Sequence, residues 1–242
     1  MKEQTKHQPD RRSLPKAACA LSWLMAMALL SLPTALSAAD AKPDSPESVT
    51  ALKKLGAELE LNEQGTVDSV SFAASSNFTN DALAHLAGLK SVTRLRLDGL
   101  PVTDQGLKHL AKLSQLTWLR LSDTGVTDKG LVHLKNLANL RLLSLTSTEV
   151  TDMGLVHLKD LKKLQTLMLR KNSITDAGLK HVNHLPKLRS LRLSDTEVSD
   201  AGVDHLVNIK TLETLTLKRT EISEAGLERL RKALPDSEIT DP

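Results

Sequence analysis

Six histidines recur at a fixed interval of 24 residues: His85, His109, His133, His157, His181 and His205. Imidazoles in register could form a metal ladder or a pH-sensing row. Adjacent helices lie about 8–10 Å apart, whereas two ligands of one zinc, each at about 2.0–2.1 Å, must be much closer. His181 and His184 are the one pair at i, i+3, with no third ligand beside them. The histidines therefore read as repeat packing, and no metal site is expected. Asp123-Thr124-Gly125 spells the tripeptide in which aspartic proteases carry one of their two carboxylates. The equivalent positions elsewhere are Ser147-Thr148-Glu149 and Asp195-Thr196-Glu197, and no second Asp-Thr-Gly exists to complete a dyad. There is no phosphate loop, no H-E-x-x-H, no nucleophile elbow and no paired carboxylates outside the repeat frame. No catalytic residue and no cofactor are expected.

Composition narrows the field further. The chain has 242 residues, an apolar fraction of 40%, only 2% aromatics and no Tyr. Its core must be aliphatic, chiefly Leu, which argues against most β-sandwiches and against aromatic RNA-binding platforms. The single cysteine, Cys19, excludes an intramolecular disulfide and a Cys-rich zinc site. Residues 1–39 carry five basic and two acidic side chains, while the rest of the chain holds 27 of each sign. The formal charge of +3 thus belongs to the N-terminal segment and gives no argument for nucleic acid. Lys108, Lys112, Lys135, Lys159, Lys162 and Lys163 read as solubilising charge on a helix face.

That N-terminal segment has the layout of an export signal. Residues 1–16 are polar and basic, Ala17 to Leu32 is an apolar run, and small residues end at Ser37-Ala38-Ala39. The run falls short of the roughly 20 residues needed to span a bilayer. Cleavage is expected after Ala39, leaving no stable membrane span. Arg11-Arg12 partly resembles a twin-arginine signal, but Pro15 departs from it, and Sec export is the reading preferred. Asn77-Phe78-Thr79 is a glycosylation sequon, of consequence only in a source that glycosylates.

One period organises the remainder. Val102-Thr103-Asp104 with Gly106 returns at Val126, Val150, Ile174, Val198 and Ile222, always 24 residues on, and Phe78-Thr79-Asn80 with Ala82 is a divergent first copy. Leu107, Leu110 and Leu113 recur at three, as on one face of a short helix. Leu119 and Leu121 alternate, as in a strand buried on one side. Thr103 is placed to cap the helix, and Asp104 to favour its dipole. Gly106 and its five counterparts are costly in a helix, so backbone is expected to approach backbone there. A single unit has too few apolar residues to offset its own ordering; the copies must fold as a stack, with strands pairing in parallel and helices outside.

L-x-x-L-x-L-x-x-T/N joined to T-D-x-G-L-x-x-L resembles the leucine-rich repeat, in the helix-backed variety similar to ribonuclease-inhibitor-like and F-box-associated repeats. Compact bacterial proteins with a 24-residue T-D-x-G-L unit are the nearest resemblance. It implies an α/β solenoid: a curved right-handed horseshoe with a parallel sheet on the concave face and helices on the convex face. Thr124, Thr148, Thr196 and Thr220 stand where the family usually has Asn, and only Asn172 matches. Thr is expected to bond the neighbouring turn less completely, giving a looser ladder. The expected organisation is a signal peptide over 1–39, a linker over 40–44, a helix-hairpin cap over 45–66, the repeat array over 67–221 and a C-terminal repeat and cap over 222–242. Within the first cap, 45–57 reads as a helix capped by Ser45.

The resemblance implies a noncatalytic binding module, exported to the periplasm, cell envelope or medium, that takes a protein on its concave sheet. Alternatives are an envelope-polymer binding protein, or an adaptor or effector subunit of a ubiquitin-ligase-like complex. An F-box itself has no room ahead of the first strand. The candidate ligand residues flank the inward leucines: Arg94, Arg96, Trp118, Arg120, Leu142 and Met168. Arg94, Trp118 and Leu142 should form one row, with Arg96 and Arg120 beside it. Trp and Arg are the residues most enriched in binding hot spots. The row suggests an acidic partner with an apolar element; the competing reading of Trp118 is a cation–π cover over the Arg stems.

Overall fold

In the computed structural model, residues 43–72 and 78–240 are described. The export segment 1–39, linker residues 40–42 and Asn77 of the sequon lie outside the described residues. Among the described residues, nine strands form one sheet in chain order. They are β1 (Ala57–Leu61), β2 (Val67–Phe72), β3 (Arg94–Arg96), β4 (Trp118–Arg120), β5 (Leu142–Ser144), β6 (Thr166–Met168), β7 (Ser190–Arg192), β8 (Thr214–Thr216) and β9 (Glu238–Thr240). β1 and β2 are an antiparallel hairpin, and every later neighbour is parallel. From β3 on, strands follow one another every 24 residues, so each repeat contributes one strand. The architecture is an α/β leucine-rich-repeat solenoid.

All seven large apolar positions of the unit are buried: Val102, Leu107, Leu110, Leu113, Leu116, Leu119 and Leu121 are each at most 7% exposed. Leu119 faces inward from the middle of β4, between the outward Trp118 and Arg120. The leucine spacing of three is realised as a mixture of helix types. Short α-turns α2 (Asp104–Leu107), α3 (Asp128–Leu131) and α4 (Asp152–Leu155) tighten into 3-10 runs at Lys108–Lys112, Val132–Leu134 and Val156–Leu158. A 3-10 helix has three residues per turn, so residues three apart eclipse and all point at the sheet. Later copies use seven-residue α-helices, α5 (Asp176–Val182) and α6 (Asp200–Leu206), and the last uses α7 (Glu224–Ala233).

The N-terminal helix α1 spans Pro46–Lys54, shorter than the 45–57 expected, with Ser45 accepting a bond from Ser48 N at its start. It stops because Gly56 adopts a φ of 83° and its N–H turns back to Lys53 O, after which β1 begins. The hairpin turn that follows is held by Asn62, whose Oδ1 accepts bonds from Gln64 N, Thr66 N and Thr66 Oγ1.

What joins repeat to repeat on the helix side is the aspartate. Asp128 Oδ1 accepts the N–H of Thr151, 2.7 Å away, and Oδ2 accepts its hydroxyl at 2.7 Å. The same pair of bonds links Asp104 to Thr127, Asp152 to Thr175, Asp176 to Ser199 and Asp200 to Ser223. In the first copy Asn80 serves instead, accepting from Thr103 N and donating to Thr103 Oγ1. Thr103 makes no side-chain bond to its own helix, contrary to the cap expected, whereas Thr127, Thr151, Thr175, Ser199 and Ser223 do. The glycine expectation also needs correcting. A Cβ at Gly130 would overlap Asp104 Oδ1 and come within 3.0 Å of Leu107 Cδ1, so glycine makes room for a pinned carboxylate rather than for backbone.

Of the threonines at the asparagine position, Thr148 alone has a side-chain bond to the next repeat, its hydroxyl donating to Asn172 Oδ1 at 2.9 Å. Thr124, Thr148, Thr196 and Thr220 each donate to the carbonyl three residues back in their own repeat. The longer Asn172 bridges to the neighbouring backbone, donating to Leu145 O at 2.6 Å and accepting from Thr148 N at 3.0 Å. One position beside it takes a left-handed backbone in six successive copies: Gly99, Asp123, Ser147, Lys171, Asp195 and Arg219 have φ between 54° and 69°. Asp123, first residue of the Asp-Thr-Gly tripeptide, is thus a turn residue.

Candidate functional site

The outward residues of β3 to β6 stand in the register that the 24-residue period implies. Arg94 pairs with Trp118, Trp118 with Leu142, and Leu142 with Thr166. Beside that row run Arg96, Arg120, Ser144 and Met168. Neighbouring strands lie about 4.7–4.9 Å apart, so these side chains form a continuous surface. Trp118, Arg120, Leu142 and Met168 are half-buried, while Arg94 and Arg96 are exposed. Ser144, flanked by the longer Arg120 and Met168, is only 1% exposed and shares a 2.9 Å hydroxyl bond with Ser122.

The arginines of this face are not free cations. Arg94 Nη2 lies 2.9 Å from Glu60 Oε2 and 3.0 Å from Asp68 Oδ2. Arg96 Nε donates to Asp98 Oδ2 at 3.0 Å. Arg120 Nε sits 2.7 Å from that same oxygen, but its N–H is not aimed at it, so the contact is one of charge alone. Asp98 Oδ1 accepts Ser122 N at 3.0 Å, which fixes the carboxylate between the two strands. The basic row read from sequence is therefore balanced by carboxylates from β1, β2 and the β3 turn. The guanidinium of Arg120 lies 5.8 Å from the Trp118 ring centroid, a cation–π contact on the sheet face.

The repeat places Asp98 on the face beside Arg96 and Ser122, but its spacing does not reveal that one carboxylate oxygen lies against both Arg96 and Arg120. Glu60 carried no such signal, because the hairpin lies outside the period. A second charged group surrounds Asp195, which takes Arg170 Nη2 at 3.2 Å and Arg219 on the other side. The Arg219 hydrogen bond leads in holding the Asp195 carboxyl below its ordinary range, and Arg170 assists.

The histidines lie on the helix side. His85 is exposed and the other five are half-buried. Burial is the main cause lowering the His181 pKa, with the Lys180 and His184 charges adding to it. Among the described residues, no three His, Cys, Asp or Glu side chains gather into a metal-binding group. Among the same residues, no helix is long and apolar enough to cross a membrane.

Residues 138–198 match the family model for the leucine rich repeat. No curated protein matches the chain. Among solved structures, internalin C2 of Listeria monocytogenes is similar over 82% of this chain and 86% of its own, with 25% identity and a TM-score of 0.58. An internalin, inlF, from the same organism is similar over 82% of this chain and 58% of its own, with 23% identity and a TM-score of 0.56. The sheet and the 24-residue repeat thus have the leucine-rich-repeat fold, and residues 138–198 carry that repeat's family signature.

Proposed function

We propose that the chain is an exported, noncatalytic binding protein of the bacterial 24-residue T-D-x-G-L type. It takes a protein partner on the sheet face between β3 and β6. Residues 1–39 are the part removed on export, 45–66 cover one end of the array over 67–221, and 222–242 close the other.

The observation that carries this reading is Trp118. It stands on the sheet face next to Leu142, with Met168 one strand further on, at positions the leucine core does not use. Desolvating such side chains against a partner is a major source of binding energy, and Trp is prominent among hot spots. Because Glu60, Asp68 and Asp98 balance the arginines, an apolar element of the partner supplies the affinity, and acidic groups on it contribute orientation and rate. The experiment compares capture of one identified partner by the wild-type protein, Trp118→Ala, Leu142→Ala and, on the helix side, Lys135→Ala. Binding should fall tenfold or more in the first two variants and persist in the third. Loss confined to Lys135→Ala would put the ligand on the opposite side.

A further inference from the structure

At the C-terminal end of the sheet face a groove of about 360 Å³ is lined by Arg170, Arg192, Ser194, Thr216, Lys218 and Arg219. Register brings them together. Arg192 on β7 stands opposite Thr216 on β8. Beyond the strands, Lys171 N bonds Ser194 O and Asp195 N bonds Lys218 O, which keeps the successive turns in line. Arg170, Ser194 and Lys218 thus occupy equivalent places on neighbours about 4.7–4.9 Å apart.

Unlike the charges near Trp118, these are not balanced. Asp195 is the carboxylate bonded to the group, and it is used by Arg170 and by both Nε and Nη2 of Arg219. Arg192 and Lys218 have no ion pair or side-chain hydrogen bond among the described residues. Arg170 Nε is a buried donor without a partner. Ser194 Oγ and Thr216 Oγ1 are 3.5 Å apart, at the outer limit of a hydrogen bond, so both hydroxyls can serve a ligand.

We propose that this groove is an anion site for a phosphate or sulfate group, free or carried as a monoester. A carboxylate presents two oxygens, and one guanidinium fork would satisfy it. A tetrahedral oxyanion presents three or four, matching the fork of Arg192, the ammonium of Lys218 and two hydroxyls converging from adjacent strands. The site adjoins the proposed protein surface, since Met168 on β6 pairs with Arg192 on β7, but its anion binding is read without a partner protein and stands whether or not that surface binds one.

The test is calorimetric titration of the full chain at low ionic strength with inorganic phosphate, O-phosphoserine and, as a dicarboxylate of similar charge, malonate. Arg192→Gln, Lys218→Gln and, on the helix side, Lys135→Gln are titrated in parallel. Phosphate should bind at one saturable site, weaken at least tenfold in each of the first two variants and be unchanged in the third. Tighter binding of O-phosphoserine than of phosphate assigns the site to an ester, and the reverse assigns it to the free ion. Malonate binding as tightly as phosphate, or phosphate binding that survives both substitutions, would overturn the proposal.

Discussion

Asp128 shows how much of the stack rests on single side chains. Its two oxygens satisfy the amide and the hydroxyl of Thr151 in the next repeat, and hydrogen bonds to a charged group contribute about 1.5–3 kcal/mol each. Asp128→Ala should therefore cost about 2–4 kcal/mol in denaturant unfolding, since it strands a half-buried N–H as well. Asp128→Asn should cost much less, because Asn80 already fills this role in the first copy. Read from sequence, the aspartate was a charge placed for the helix dipole; its partner 23 residues on became visible only when the repeats were stacked. The face residues Arg94, Trp118 and Leu142 were legible because a strict period fixes cross-strand register. Their charge balance was less so, since Glu60 comes from a hairpin with no repeat to predict its place.

At the level of the element, the strands and buried leucines followed from alternation and spacing alone. The helix type did not: leucines at intervals of three fit a 3-10 run and an α-turn equally well, and both occur. The links between late elements are pH-sensitive in a defined direction. The Asp200 carboxyl, which joins α6 to α7, is lowered from 3.8 first by the Ser223 hydroxyl and then by the Ser223 amide. Its contribution is complete above that unfolded-state value and is lost as pH falls through the lower folded one. His181 in α5 is lowered from 6.5 mainly by burial, so the neutral ring is favoured in the fold. Its contribution is complete above 6.5 and is lost as pH falls through its folded value. Denaturant midpoints should decline in two stages, below about pH 6.5 and again below about pH 4, and His181→Gln should remove the first stage. A midpoint that rises on acidification would contradict both assignments.

The described residues form a stack in which each repeat buries its leucines against its neighbours, so a defect in the middle is felt as lost packing rather than lost chemistry. Leu143, fully buried in β5, should cost about 2–5 kcal/mol when replaced by Ala. His133→Gln on the half-buried helix side should cost under about 1 kcal/mol by the same unfolding measurement. The repeated scaffold leaves recognition to the few outward positions where copies differ, and those on β4 to β6 are the ones proposed to contact the partner. The most direct measurement is site-specific photo-crosslinking, with the reactive group placed at Trp118, Leu142 or Met168 on the sheet face and at Lys135 or Lys159 on the helix side. Partner adducts should form from the three sheet positions and be absent from the two lysine positions; adducts from the lysine positions alone would contradict the account.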